Sequence, residues 1–250
     1  MVFVRGNPLD FERWASYDLP KWSYKNVLPY FKKLETWSGG ENLYRGGKGP
    51  LKVNRSKIDE AFPLFKALIK AAAEAGYDTF EDSNGFRQDG FGTFDVTIDN
   101  GKRQGVSRAY LNKINGYKNL SIENDTDVSK IIFKEKKAIG VEVKKNNNSE
   151  IYYCNKEVIL SSGSINSPKI LQLSGIGDEK LLNQNGIDII NHLPGVGKNL
   201  QDHLEIYIQH KSKIKDTLYN LSTNYLTQAI EGVKWFLLKK GMLTYSHLEV

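Results

Sequence analysis

The chain has 250 residues, 40% hydrophobic and 26% charged, the proportions of an ordinary globular protein long enough for one large or two modest domains. Its net charge of +6 comes mostly from lysines scattered among acids, with no arginine stripe interleaved with aromatics, which argues against a nucleic-acid partner. The single cysteine, Cys154, excludes an internal disulfide and fits a reducing, cytoplasmic setting. No apolar run reaches the ~20 residues of a membrane span. The four histidines form no His-x-x-x-His pair and no carboxylates cluster at metal spacing, which argues against a metal enzyme.

Residues 1–22, punctuated by Gly, Asn and Pro, read as an extended segment and loop. Ser23 is a good N-cap for a helix carrying Val27, Leu28, Phe31 and Leu34 on one face and ending by Gly39-Gly40. The glycine-rich stretch 39–50 is loop. Apolar residues recur at helical spacing from Asp59 to Ala75, and Gly76 closes that helix. Phe94, Val96 and Ile98 alternate as a strand, ended by the turn Asp99-Asn100-Gly101. Ser107 to Lys113 is a short helix.

Four strands follow, over Asn119–Glu123, Val128–Lys134, Ala138–Lys144 and Glu150–Cys154, at the spacing of an antiparallel meander. Cys154 reads as a small core residue. Val158-Ile159-Leu160 is a short buried strand that ends in Ser161-Ser162-Gly163. Residues that small let a flat ring or a pyrophosphate lie against the main chain. Asn166, Ser167 or both cap the next helix, Pro168 fits its first turn, and Ser174-Gly175-Ile176-Gly177 stops it. Ile187–His192 is a further short strand, His203–Lys211 alternates as another, and Ile230–Leu238 is a helix carrying Trp235.

Three stretches together resemble the glucose–methanol–choline (GMC) flavoprotein oxidoreductases: the strand-to-helix run Gly163–Gly177, the opening Met1–Trp14, and the loop Leu193-Pro194-Gly195-Val196-Gly197-Lys198-Asn199-Leu200-Gln201-Asp202-His203. The likeness runs over nearly the whole chain and is nearest to the choline-oxidising branch. It implies a mixed α/β (α+β) fold. Residues 1–55 and 106–200, the latter with the β-meander, would belong to a Rossmann-like FAD-binding domain. Residues 56–105 and 201–250 would belong to an antiparallel-sheet substrate domain.

The implied cofactor is FAD, met by the backbone of Val128 at the adenine and by Ser162 and Gly163. The implied substrate is an alcohol, choline above all, with a separate electron acceptor and scope for peripheral membrane association. Glu205, in Asp202-His203-Leu204-Glu205, would face the trimethylammonium group, for which a carboxylate is the natural partner. Spacing alone reads Glu205 as a solvent-facing strand residue, and the motif reverses that. His203 reads as structural. Arg5 would lie near the flavin or pair with a surface acid, and His247 and Glu249 would line the substrate cavity.

The chain holds no Gly-x-Gly-x-x-Gly, the unit that brings a pyrophosphate to a helix N-terminus. The resemblance places that unit before this stretch and the catalytic His after it. No catalytic residue is therefore assigned here, and the stretch alone is expected to be inactive and to expose apolar surface. The alternatives are a GMC dehydrogenase for a neutral alcohol and a non-catalytic truncated product.

Overall fold

A computed structural model describes residues 1–56, 63–146, 148–204, 206, 213, 217, 219 and 222–244. In chain order the elements are β1 (Val2–Phe3), α1 (Pro8–Ala15), α2 (Tyr24–Leu34), β2 (Glu35–Trp37), β3 (Leu51–Arg55), α3 (Pro63–Glu74), β4 (Asp95–Val96), β5 (Ile98–Asp99) and β6 (Lys102–Arg103). After a π-helical turn, Ser107–Leu111, come α4 (Asn112–Ile114), β7 (Asp127–Lys134), β8 (Lys137–Lys145), β9 (Asn148–Tyr153), α5 (Gly163–Leu173), β10 (Ile176–Gly177), α6 (Glu179–Gln184), β11 (Asn191–His192) and α7 (Tyr225–Leu238). The fold is mixed α/β with several small sheets. It divides into two compact units, Met1–Tyr117 with His210–Val250, and Lys118–Gln209. Among the described residues no helix is long and apolar enough to cross a membrane.

The first unit is built on a four-stranded sheet of order β1-β4-β3-β2, in which β2 and β3 run parallel and the other pairs antiparallel. Residues 1–22 are not merely loop. Asn7 Oδ1 accepts from the N–H of Leu9 at 2.9 Å and Pro8 opens α1. That capping chemistry outweighs the turn-prone composition, and Phe11 gains a buried seat against Trp14, Tyr24 and Phe31. The face expected on α2, Val27, Leu28, Phe31 and Leu34, is half-buried. The helix stops at Leu34 and passes directly into β2, before the glycines expected to end it. Asn100 and Gly101 both have positive φ, 50° and 65°, and turn β5 into β6 as expected of an Asn-Gly hairpin.

The centre of this unit is ionic. Arg45, Glu35 and Asp95 are each 0% exposed. Arg45 donates from Nε and Nη2 to the two Glu35 oxygens at 2.8 and 3.1 Å, and from Nη1 to Asp82 and Asp95, both at 2.6 Å. Arg5 donates to Glu35 at 2.7 Å and Arg55 to Asp95 at 2.8 Å. Three guanidinium groups thus meet three carboxylates. Burial opposes charge on Arg45, but its bonds to Glu35 and Asp95 hold the guanidinium above its ordinary value. On Arg5 burial prevails and lowers the value, with Glu35 opposing. The Arg45 guanidinium also lies 4.3 Å from the ring centre of Trp37.

The second unit contains the expected meander. Strands β7, β8 and β9 pair antiparallel in that order, and Asn146, at φ 49°, begins the tight turn between the last two. Asn119–Glu123 is not a strand; it has no regular structure and is exposed, because neither edge of the meander takes it up. Cys154 is half-buried rather than core, just past the end of β9.

The expected buried strand Val158-Ile159-Leu160 does not form: these residues have no regular structure, and Ile159 is 79% exposed. A strand apolar on both faces needs neighbours on both sides, and among the described residues none lies beside it. Ile187–His192 shortens to β11, which pairs parallel with β10. Of the strand expected over His203–Lys211, His203, Leu204 and Ile206 have no regular structure; the rest lies outside the described residues.

Two outcomes follow from this packing. Replacing Glu35 by Gln leaves Arg45 and Arg5 charged and buried without their shared counter-ion, so unfolding of the first unit should be easier by about 3–5 kcal/mol in urea titration. Glu74→Gln, which breaks the exposed Lys70–Glu74 pair, should change it by less than about 1 kcal/mol. Equal effects would remove the network from the centre of the fold.

The second outcome concerns acid. Asp178 caps α6 by accepting from the N–H groups of Leu181 and Lys180, and Lys198 lies 3.2 Å away. Those backbone bonds, then Lys198, hold its pKa below the ordinary carboxylate value. A depressed folded pKa adds stability that is fully present above the unfolded value and is lost as pH falls through the folded one. Thermal melts should therefore show Asp178→Asn less stable than wild type at pH 7, with the gap closing below about pH 3.9. A pH-independent gap would contradict this assignment.

Candidate cofactor-binding site

The second unit contains a cleft of about 670 Å³ between one end of β7–β8 and α5. Val128 and Ser162, separate in sequence, both line it, together with Asn166 and Lys169. Gly163 follows Ser162 at the first position of α5.

Three local features shape this cleft. The first is a β-bulge: Val128 faces Val143, but the next pair is Lys130 with Glu142, so Ser129 is the extra residue. A bulge bends the strand locally, and here it leaves Val128 40% exposed at the cleft while Val143 opposite is buried. Because β7 is an edge strand, its outer side has no strand partner, and backbone groups there can meet other partners.

The second feature is Ser174. Its hydroxyl accepts from the N–H of Ile131 at 2.8 Å and donates to the carbonyl of Ile170 at 2.5 Å. This ties the end of α5 to β7, and Ile170, Ile131 and Val143 are all buried. Gly175, at φ +83°, then reverses the chain as the sequence requires; a Cβ there would run into the carbonyl of Asp188.

The third feature is the start of α5. The helix begins at Gly163, earlier than Asn166 or Ser167, so Pro168 lies inside it rather than in its first turn. The Ser162 side chain makes no capping bond; instead its N–H donates to Ser167 Oγ at 3.0 Å. The first N–H groups of α5 thus lack a side-chain acceptor, and they carry the positive end of the helix dipole. Gly163 has φ +87°, and nothing lies within 4 Å of where a Cβ would be. A flat or anionic group can therefore approach the main chain here. These observations fit a dinucleotide resting across Val128, Ser162 and Gly163.

Lys130 and Glu142 pair across the strands at the cleft at 3.5 Å. The sequence singled out Asn166 only as a helix cap, and Lys169 not at all. Their spacing with Ile170 and Leu173 along one helical face was the available signal.

A second cleft of about 500 Å³ flanks the other side of α5 and is closed by the Gly197–Gln201 loop. Gln172 donates to the carbonyl of Val196 at 3.2 Å, and Gly197, at φ +79°, passes so close to the Gln172 amide that a Cβ would come within 2.7 Å of its nitrogen. The His203 N–H donates to Asp202 within this loop at 2.8 Å.

In the first unit, Arg5 pairs with a buried acid, Glu35, rather than a surface one. Glu205, His247 and Glu249 lie outside the described residues. Among the described residues no group of His, Cys, Asp and Glu could hold a metal ion.

Comparison with known proteins agrees along the whole chain. The GMC oxidoreductase family profile matches residues 1–205. An oxygen-dependent choline dehydrogenase of Staphylococcus xylosus is 46% identical over 252 residues, covering 100% of this chain and 44% of its own length. The mitochondrial choline dehydrogenase of Homo sapiens is 45% identical over 249 residues, covering 100% of this chain and 41% of its own. The chain thus spans less than half the length of these relatives. Among solved structures, an FAD-dependent oxidoreductase from Chaetomium thermophilum superposes with a TM-score of 0.89 at 33% identity, covering 98% of this chain and 45% of its own. A formate oxidase superposes at 0.83 with 25% identity. Profile, identity and superposition agree, and the chain belongs to the GMC oxidoreductase family.

Proposed function

We propose that this chain is part of an FAD-dependent enzyme that oxidises a cationic alcohol, choline above all, and that it holds the adenine side of the cofactor. The observation that carries the reading is the cleft where Val128 and Ser162 meet beside the open start of α5, in a chain 46% identical along its length to a choline dehydrogenase. Val128 would offer backbone groups of the β7 edge to the adenine. Ser162 and Gly163 would let the flat or anionic part of the cofactor lie on the main chain, with the dipole of α5 favouring negative charge. When bound, FAD supplies the hydride acceptor for oxidation at the carbinol carbon.

Glu205 would set the substrate's charge by facing its quaternary ammonium. The base that takes the alcohol proton would come from the portion of the relatives that this chain does not span. The neutral-alcohol reading survives only if Glu205 proves indifferent to substrate charge.

Two experiments test the proposal. The first is the visible spectrum of the purified 250-residue chain. Lacking Gly-x-Gly-x-x-Gly, it should bind FAD more weakly than micromolar and show no turnover. A stoichiometric yellow complex of micromolar or tighter affinity would contradict this.

The second uses an enzyme completed with the remaining segments of the Staphylococcus xylosus relative. Changing Glu205→Gln keeps the shape and removes the charge. Breaking a buried charge pair costs about 2–5 kcal/mol, so choline affinity should fall roughly 30-fold or more. An isostere with carbon in place of the quaternary nitrogen should lose far less. Equal losses would leave Glu205 structural and the substrate an unspecified alcohol.

A further inference from the structure

The chain contains four Asn-Gly pairs: Asn84-Gly85, Asn100-Gly101, Asn115-Gly116 and Asn185-Gly186. In such a pair the main-chain nitrogen of the glycine can attack the side-chain amide carbon, because no β-carbon hinders the approach. The attack needs a free asparagine side chain, a free glycine N–H and a backbone able to turn one onto the other. The fold treats the pairs unequally.

Asn84 is 1% exposed; its Oδ1 accepts from the N–H of Arg5 at 2.7 Å, and its Nδ2 donates to the carbonyl of Phe3 at 2.9 Å. The Gly85 N–H donates to the carbonyl of Asp82 at 3.1 Å. Asn185 is exposed but engaged. Its Nδ2 donates to the carbonyl of Leu181 at 2.9 Å, and the Gly186 N–H to that of Asn183 at 3.1 Å. Asn100 is gripped by the β5–β6 ladder on both sides, its Nδ2 lies 3.4 Å from Asp99, and the Gly101 carbonyl accepts from Trp235 at 2.6 Å.

Asn115-Gly116 differs. Asn115 is exposed, and among the described residues neither its side chain nor the Gly116 N–H has a hydrogen-bond partner. Asn115 at φ −61°, ψ 129° and Gly116 at φ +92° form a type II turn after α4. One bond closes it, from the Tyr117 N–H to the carbonyl of Ile114 at 3.1 Å. Nothing lies within 4 Å of where a Gly116 Cβ would be. Opening that single exposed bond frees the backbone to rotate the nitrogen onto the amide carbon.

We infer that Asn115 is a site of spontaneous deamidation. The Gly116 nitrogen bonds to Cγ of Asn115, the Cγ–Nδ2 bond breaks, and Nδ2 leaves as ammonia with the proton of the Gly116 amide. Water then opens the cyclic imide at either carbonyl, giving aspartate or isoaspartate, with no change in oxidation state. The product carries a new carboxylate just past the end of α4, where the helix dipole disfavours negative charge. The isoaspartate form also lengthens the main chain by one carbon shortly before Lys118, where the second unit begins. The inference is independent of the cofactor and substrate readings.

To test it, the native 250-residue chain is held at mildly alkaline pH beside the same chain unfolded in urea. Deamidation is followed by peptide mapping and by isoaspartate-specific methyltransferase labelling. In the native chain Asn115 should react roughly tenfold faster than Asn100 or Asn185, which must break further hydrogen bonds before the ring can close. Asn84 should stay intact. In urea the Asn-Gly pairs should react at comparable rates. Asn115→Gln should abolish the leading isoaspartate signal of the native chain, because the extra methylene enlarges the ring and slows its closure. That exposed substitution should leave the melting midpoint unchanged, and the comparison of native with unfolded wild type does not depend on it.

Any of four results would overturn the inference: another Asn-Gly pair reacting first in the native chain; equal native rates for all the pairs; Asn115 leading as strongly in urea, which would trace the preference to local sequence and not to the fold; or a native isoaspartate signal that survives Asn115→Gln.

Discussion

Arg45 is the constraint from which the first unit is built. A fully buried guanidinium is tolerable only if carboxylates and hydrogen bonds surround it, because its desolvation costs more than any single contact returns. Glu35 meets that demand at the junction of α2 and β2, Asp95 on β4, and Asp82 from the loop between. Arg55 and Arg5 then balance the remaining carboxylate charge from β3 and from the segment after β1. Strands far apart in sequence are held in one sheet by this exchange as much as by their ladder bonds. The glycine-rich stretch 39–50 serves the same end. A Cβ on Gly46 would strike the carbonyl of Lys32, and one on Gly49 the backbone of Leu34 and Glu35, so only a chain without side chains there wraps tightly enough to bring Arg45 over Trp37.

In the second unit the corresponding constraint is smaller and lies nearer the cofactor cleft. One hydroxyl, that of Ser174, closes α5 onto β7, and one extra residue, Ser129, turns Val128 toward the space between them. Ser129 is among the residues lining the cleft, and Ser174 is buried. They fix the distance and the angle at which an edge strand and an uncapped helix start face each other, and that geometry is what a dinucleotide needs from a protein.

Legibility in the sequence followed the range of the interactions. The three meander strands were readable because alternation and the Asn-rich turn are local, and so were the Asn100-Gly101 hairpin and the stop at Gly175. Helix α1 was also locally encoded, by Asn7 and Pro8, but the surrounding turn-prone residues hid it. The ionic core was not readable. Glu35, Arg45, Asp82 and Asp95 are as much as 60 residues apart, and each looks like a surface charge where it stands. Val158-Ile159-Leu160 misled for the opposite reason. Its composition is that of a central strand, yet composition cannot supply the neighbours such a strand pairs with. In the candidate site, Ser162 and Gly163 stood out as a small pair before a helix. The contribution of Val128 rests on family likeness, since the sequence does not announce the bulge beside it.

The most direct test of the account is amide hydrogen exchange on the 250-residue chain at millimolar ADP, which presents the adenine and pyrophosphate without the flavin. Protection should appear in two separate segments, around Val128–Lys130 and around Ser162–Asn166, and should be absent at the Asn100-Gly101 hairpin of the other unit. Protection of neither segment at saturating ADP, or protection confined to the first unit, would contradict the assignment of this cleft to the cofactor.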